Sequence, residues 1–486
     1  MRRRAPRDWT LLTDYYELNM MYAHFRNGTH DRVAVFDLYF RENPFRGGYT
    51  LAAGLETAVE YLQGLRFEPD DIDYLRSLGT YDDAFLEMLR EFRFTGDIDA
   101  VPEGTVVFPG IPLVRVKAPI AQAQFIETAL TNIIGHQTLI ATKASRVVQA
   151  AQGDRVLEFG ARRAHGPDAA TYGARAAIIG GCHSTSNVLT GKYFEVPVAG
   201  TNAHAWVQFF DDELEAFRAW ARAMPAGVLF VVDTYDTLRS GLPHAIEVAR
   251  EVEAAGGRFL GVRLDSGDIA YLSKKARAML DAAGFPDAII VASSDLDEYL
   301  IRDLKAQGAK VDVWGVGTKL ITALDTPALG TVYKLAAVEQ DGVMVPRIKV
   351  SENPAKVTNP GVKKAVRIYE NATGKAAGDL LMLQDEPLPA GSCVTLFDPV
   401  YPWKRKTVEN FSCRELLVPV FRGGQLVYDL PSLTEIRDYA RHELSTFWDE
   451  YKRLVNPEPY PVDLSVELWR LKNEMVERVR APFGDD

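Results

Sequence analysis

Phe259-Leu-Gly-Val-Arg263-Leu-Asp265-Ser-Gly-Asp268 decides how the middle of the chain folds. Phe259 to Leu264 is mostly apolar and strand-sized, Asp265 to Asp268 is a polar turn, and a helical pattern follows. The same unit recurs between about residues 155 and 335. Strands are predicted at Arg155–Phe159, Val196–Ala199, Val228–Val232, Phe259–Leu264, Ala288–Ala292 and Val311–Trp314, with helices starting near Asp168, Asp211, Leu242, Asp268, Asp295 and Leu320. Repeated βα units put helices outside a parallel sheet, either a barrel or an open sheet. Polar or glycine-rich turns close the strands: Gly160-Ala-Arg-Arg163, Gly200-Thr-Asn-Ala-His204, Asp233-Thr-Tyr-Asp236, Asp265-Ser-Gly-Asp268, Ser293-Ser-Asp295 and Gly315-Val-Gly-Thr318. In a βα-barrel such turns share one face, and that face carries the chemistry.

The flanks read differently. Ahead of the repeats, Tyr15 to Phe25 has helical spacing, Val33 to Phe40 is a strand, and residues 101 to 118 are short strands between Pro and Gly turns. Beyond 340, the lysine-rich stretch 346–366 reads as loop and strand returning to the N-terminal domain, and Leu433 to Val479 as amphipathic helix. Three segments are therefore expected: an N-terminal α+β domain over 1–150, a βα-barrel over 151–340, and a returning segment over 341–486.

The chain has 486 residues, 47% apolar and 25% charged, with a net charge of −11. Binding a nucleic-acid backbone needs a basic face, so that class of partner is excluded. Cys182, Cys393 and Cys413 form neither a CxxC pair nor an even disulfide set, which fits a reducing compartment. Met1-Arg2-Arg3-Arg4 is basic like a signal n-region, but Asp8, Asp14 and Glu17 follow in place of an apolar stretch. The longest apolar runs, such as Gly227 to Val232, are too short to span a bilayer. A cytoplasmic enzyme with no membrane partner is expected.

No Walker A or complete dinucleotide fingerprint is present: Thr190-Gly-Lys192 is followed by Tyr193, and Gly315-Val-Gly317 lacks a third glycine. Phe159 with Arg162 and Arg163 offers a ring beside guanidiniums that can bind an organic anion, although paired arginines also serve in surface ion pairs. Arg263 and Asp265 share one strand face, and a carboxylate there suits ribose hydroxyls or magnesium; Asp268 is equally a helix cap. Asp295, Gly315, Gly317 and Thr318 end the last two strands, where turn amides bind phosphate. His204 follows Gly200 and Thr201 in a turn that allows close backbone approach. Together these side chains suggest a phosphorylated sugar, an organic anion and one histidine.

The motifs resemble those of nicotinate phosphoribosyltransferases: Leu12-Thr-Asp-Tyr-Tyr16, Phe40-Arg-Glu-Asn-Pro-Phe45, Glu158-Phe-Gly-Ala-Arg-Arg-Ala-His-Gly-Pro-Asp168, Thr185-Ser-Asn-Val-Leu189 and Val196-Pro-Val-Ala-Gly-Thr-Asn-Ala-His204. Val232-Asp-Thr-Tyr-Asp236, Arg263-Leu-Asp-Ser-Gly-Asp268, Gly330-Thr-Val-Tyr-Lys-Leu335 and Pro346 to Lys356 continue the series in family order. The resemblance implies a type II phosphoribosyltransferase fold, an irregular α/β barrel plus an α+β domain built from N- and C-terminal chain. It implies a homodimer with composite active sites. The implied reaction joins nicotinate to phosphoribosyl pyrophosphate, with Mg2+, and with ATP hydrolysed through a phosphohistidine. His204 would be that histidine, with Phe159 and the partner subunit's Tyr16 sandwiching the pyridine ring. Arg162 would meet the pyridine carboxylate, Arg263 and Asp265 would face ribose and ring, and Asp295, Gly317 and Thr318 would surround the 5′-phosphate. Arg163, Thr201 and Gly315 complete the expected substrate contacts, and no fixed protein metal site is expected. A nicotinamide-using relative carries a carboxylate near the pyridine amide. Cys182 to Thr185 offer none, so nicotinate is favoured.

Overall fold

A computed structural model describes residues 8–353 and 356–481. The basic start Met1 to Arg4, and Pro354 and Ala355 of the Pro346–Lys356 motif, lie outside the described residues. The chain divides into two compact units, Met1–Leu139 with Ala328–Asp486, and Ile140–Pro327. The first division falls inside the continuous helix Glu127–Ala150, and the second just ahead of the strand Thr331–Gln340.

The Ile140–Pro327 unit holds six parallel strands: β1 (Arg155–Glu158), β2 (Ser184–Thr185), β3 (Val228–Val231), β4 (Phe259–Leu264), β5 (Ile289–Ser294) and β6 (Val313–Val316). They lie in the order β2-β1-β6-β5-β4-β3. All four residues of β6 are buried, and so are Val228, Phe230, Val262, Leu264, Ile290 and Ala292 on its neighbours. Such near-continuous apolar strands suit a parallel sheet covered on both faces.

Two segments depart from the sequence expectation. Val196–Ala199 is not a full strand; it makes one bridge, Thr185 to Val198. Pro197 has no N–H to donate, so the ladder stops there. Between this segment and β3 a side chain replaces the ladder, as Val231 N–H donates to Asn202 Oδ1 at 3.4 Å. The sheet is thus an open half-barrel, with β2 and β3 at its edges. The helix expected near Asp295 starts later, at Glu298, because Asp297 caps it.

The other unit interleaves both ends of the chain. Its seven-stranded antiparallel sheet runs Val343–Pro346, Thr331–Gln340, Val33–Phe40, Val114–Pro119, Asp97–Ala100, Val418–Arg422, Gln425–Leu426. A four-stranded sheet, Phe411–Glu415, Lys363–Glu370, Lys375–Leu383, Val462–Leu464, is built wholly from C-terminal chain. The final stretch is therefore two main helices, Leu433–Ser445 and Val466–Arg480, separated by a short helix and the strand Val462–Leu464, not one helical run. No helix among the described residues is long and apolar enough to cross a membrane.

Candidate active site

The half-barrel sends the C-terminal ends of β1 and β3 to β6 toward one set of turns, and most of the expected site residues meet there. β4 ends in Arg263 and Asp265. Arg263 donates through Nη2 to Asp265 Oδ1 at 2.6 Å, through Nη1 to Thr201 Oγ1 at 2.9 Å and through Nε to Ser293 Oγ at 2.7 Å. The Ser293 hydroxyl, on β5, in turn donates to Asp265. Three neighbouring segments thus fix one guanidinium and one carboxylate. Burial pushes the Asp265 carboxyl up, but the Ser293 hydroxyl, Arg263 and His204 together outweigh it and hold it below the usual carboxylate range.

His204 opens the short helix His204–Gln208 and keeps 37% of its side chain exposed. Its Nδ1 lies 3.1 Å from Thr234 Oγ1, and its Nε2 lies 3.5 Å from Asp265 Oδ2 and 3.9 Å from Asp233 Oδ1. Asp233 is 2% exposed. One of its oxygens accepts the Asp265 N–H at 2.8 Å and the Ser266 hydroxyl at 2.7 Å, while Oδ1 has no hydrogen-bond partner. An accessible imidazole therefore sits between a hydroxyl and two carboxylates.

Phe159 follows β1 directly, its N–H donating to Val316 O at 2.8 Å. A Cβ on Gly315 would come within 2.6 Å of its ring, so the ring lies against bare backbone. The Arg263 guanidinium is 6.0 Å from the ring centroid. Arg162 and Arg163 occupy the exposed turn Ala161–Arg163, and among the described residues neither has an ion-pair partner. Asp295 is exposed at the end of β5, and Gly317 and Thr318 begin the turn after β6. A Cβ on Gly317 would meet Phe159 O at 3.1 Å, so backbone amides are what this turn presents.

Tyr16 belongs to the other unit and is not among the side chains assembled here. It is 46% exposed on the helix Tyr15–Arg26. Burial, then the carboxylates of Glu127, Glu17 and Asp14, push its phenol upward.

Four further side chains contribute that no sequence motif singles out: Asp233, Thr234, Ser293 and Glu158. Asp233 had a readable signal, since it follows β3 closely, as Asp265 directly follows β4. Glu158 is fully buried under the Phe159 turn, accepting the Thr185 hydroxyl at 2.6 Å and the Gly160 N–H. Burial pushes its carboxyl up despite those donors. No carboxylate occupies Cys182 to Thr185, but this one bonds to Thr185 from beneath. Among the described residues no three His, Cys, Asp or Glu side chains are gathered to hold a metal. Asp233 and Asp265 alone could supply two oxygens to a cation otherwise held by substrate, a fit for Mg2+.

Three family models cover the chain in order: the nicotinate phosphoribosyltransferase N-terminal domain over residues 11–135, the nicotinate phosphoribosyltransferase family over 155–375, and the C-terminal domain over 362–472. A nicotinate phosphoribosyltransferase of Bacillus subtilis is 51% identical over 479 residues, spanning 98% of this chain and 97% of the relative. The chain belongs to the nicotinate phosphoribosyltransferase family. A human nicotinate phosphoribosyltransferase is 35% identical, with 96% of each chain covered. The crystal structure of human nicotinic acid phosphoribosyltransferase superposes with a TM-score of 0.85, covering 95% of this chain and 99% of that one at 32% identity. The resemblance implied an irregular α/β barrel plus an α+β domain built from N- and C-terminal chain; the fold is that of this family, with the barrel sheet left open as a half-barrel.

Proposed function

We propose that this protein transfers the phosphoribosyl group of phosphoribosyl pyrophosphate to nicotinate, giving nicotinate mononucleotide and pyrophosphate. The observation that carries the reading is the Arg263–Asp265–Ser293 network holding a carboxylate 3.5 Å from His204 on the open face of the half-barrel. The names of relatives covering nearly the whole chain support the substrates.

In the proposed chemistry the pyridine ring lies on Phe159 and its carboxylate meets Arg162 and Arg163. The ring nitrogen forms the new bond to ribose C1 as the bond to pyrophosphate breaks. Ribose C1 is cation-like at that point, so Asp265, held ionised by Arg263 and Ser293, favours the transition state. The turn amides at Asp295, Gly317 and Thr318 take the 5′-phosphate. Asp233 and Asp265 would help hold Mg2+, which when bound would supply charge neutralisation of the leaving pyrophosphate.

ATP is the proposed co-substrate. Its γ-phosphoryl passes to a ring nitrogen of His204 as the bond to ADP breaks, and water later releases phosphate. The phosphate on His204 brings negative oxygens to the ribose-binding face, tightening the substrate complex and favouring the cation-like carbon. We place the enzyme in the cytoplasm as a homodimer whose sites borrow Tyr16 from the partner subunit.

Incubation with γ-labelled ATP tests the histidine. The protein should acquire an acid-labile, base-stable label, and His204→Ala should lose both the label and ATP hydrolysis while retaining slow nucleotide synthesis. Full ATP-stimulated activity in the variant, or label on His165 or His183, contradicts the assignment.

A further inference from the structure

The turns that end β5 and β6 are joined by an ion pair. Lys319 immediately follows Thr318, and Asp297 lies two residues past Asp295. The Lys319 ammonium is 2.8 Å from Asp297 Oδ2, with side-chain exposures of 27% and 16%. Oδ1 of Asp297 accepts the N–H groups of Tyr299 at 3.0 Å and Leu300 at 2.8 Å, capping the helix Glu298–Ala306. Burial pushes the Asp297 carboxyl up, but the Leu300 N–H and Lys319 outweigh it and hold it below the usual range. The next residue, Glu298, is fully buried and pairs with Lys143 at 2.8 Å and Arg146 at 3.0 Å.

These ties surround a strained backbone. Ser294 has φ of +144°, a conformation that L residues rarely adopt, and such a residue persists where its surroundings over-determine it. The β5–β6 ladder ends at the Ser294–Val316 pair. Past that point the Lys319–Asp297 contact continues the connection between the two turns.

We propose that Lys319 and Asp297 are positioning residues for the phosphate-bearing end of the ribosyl substrate. The pair sets the spacing between the Ser293–Asp295 and Gly317–Thr318 turns, so that both turns present their donors to one phosphate. The ammonium acts through Asp297 and is not itself the phosphate ligand. This inference rests on the reading that these turns hold the 5′-phosphate.

The test is steady-state kinetics of Lys319→Met, Asp297→Asn, Lys319→Arg and Thr318→Ala with each substrate varied in turn. Asparagine caps helices about as well as aspartate, so Asp297→Asn removes the charge and leaves the cap. Lys319→Met and Asp297→Asn should each raise the KM for phosphoribosyl pyrophosphate roughly ten- to hundredfold, as loosened positioning does. The KM for nicotinate should stay within about twofold of wild type, since removing a phosphate-end interaction leaves pyridine binding intact. Lys319→Arg, which keeps the ion pair, should recover most of the loss. If Lys319→Met raises that KM while Asp297→Asn leaves it unchanged or lowers it, lysine contacts phosphate directly and the positioning role is overturned. If Thr318→Ala raises it while neither pair variant does, the phosphate reading stands and the pair does not position it. If all four variants match wild type, the pair does not position the phosphate and the Thr318 hydroxyl does not bind it, so the positioning role is overturned.

Discussion

A methyl group at Gly315 would sit 2.6 Å from two carbons of the Phe159 ring. Real Cβ atoms do not approach that closely, so in Gly315→Ala the ring must move. Because the proposed pyridine stack uses that ring, we expect the nicotinate KM to rise roughly tenfold with the KM for phosphoribosyl pyrophosphate little changed. Equal rises in both would place the ring elsewhere in the reaction. Arg162→Ala should likewise raise the nicotinate KM by roughly tenfold, the loss of a charge-assisted contact to a carboxylate, and a larger effect on phosphoribosyl pyrophosphate would contradict its assignment. At this scale the sequence was informative where chemistry-bearing residues directly follow a strand, as Phe159 and Asp265 do. It was silent on Ser293 as a bonding partner and on Glu158, because a hydroxyl or carboxylate on a strand gives no sign of which face it takes until the sheet is ordered.

The helix Tyr15–Arg26 and the strand Val33–Phe40 follow their apolar spacing almost residue for residue. β2 escaped notice because two residues show no periodicity. Lys363–Glu370 was hidden by its charges. The lysine-rich stretch 346–366 reads as loop and strand with no strand bounds, yet Lys363 pairs with buried Asp37 at 2.8 Å, and Arg367 pairs with Asp379 at 2.8 Å and Glu443 at 3.1 Å. Buried ion pairs of this kind join residues distant in sequence, and such partners cannot be read locally. A buried carboxyl governs the first helix. Glu17 is fully buried, accepting the hydroxyls of Thr13 and Thr128 and the Thr128 N–H at 3.0 Å, which ties this helix to the start of Glu127–Ala150. Burial pushes its carboxyl up to about 7, against the pull of those donors. A raised carboxyl means the folded state holds its proton longer than the unfolded chain, so this group's contribution to stability falls as pH rises from about 4.5 to about 7. Glu17→Gln should match wild type near pH 5 and exceed it by about 1–3 kcal/mol at pH 8. Chemical denaturation at the two pH values measures this, and a constant difference between the proteins would refute it.

At the scale of the whole molecule, the first unit is built from both chain ends, and its seven-stranded sheet draws strands from residues 33 to 426. The half-barrel was legible because each βα unit is local. The interleaved unit was legible only in outline, as a return of C-terminal chain to the N-terminal domain; its strand order was not, because many of the paired strands are hundreds of residues apart. The proposed homodimer makes a prediction at this scale. Tyr16→Ala and His204→Ala proteins, each impaired alone, should recover part of the activity when their subunits are exchanged, since each heterodimer then carries one intact site. Exchange without recovery would remove Tyr16 from the partner's site.

Nicotinate is the proposed acceptor of the phosphoribosyl group. Product analysis with phosphoribosyl pyrophosphate, Mg2+ and ATP, offering nicotinate, nicotinamide and quinolinate side by side, tests it most directly. Nicotinate should give nicotinate mononucleotide and pyrophosphate, with kcat/KM far above that for nicotinamide or quinolinate. Comparable kcat/KM for nicotinamide, or turnover of quinolinate alone, would contradict it.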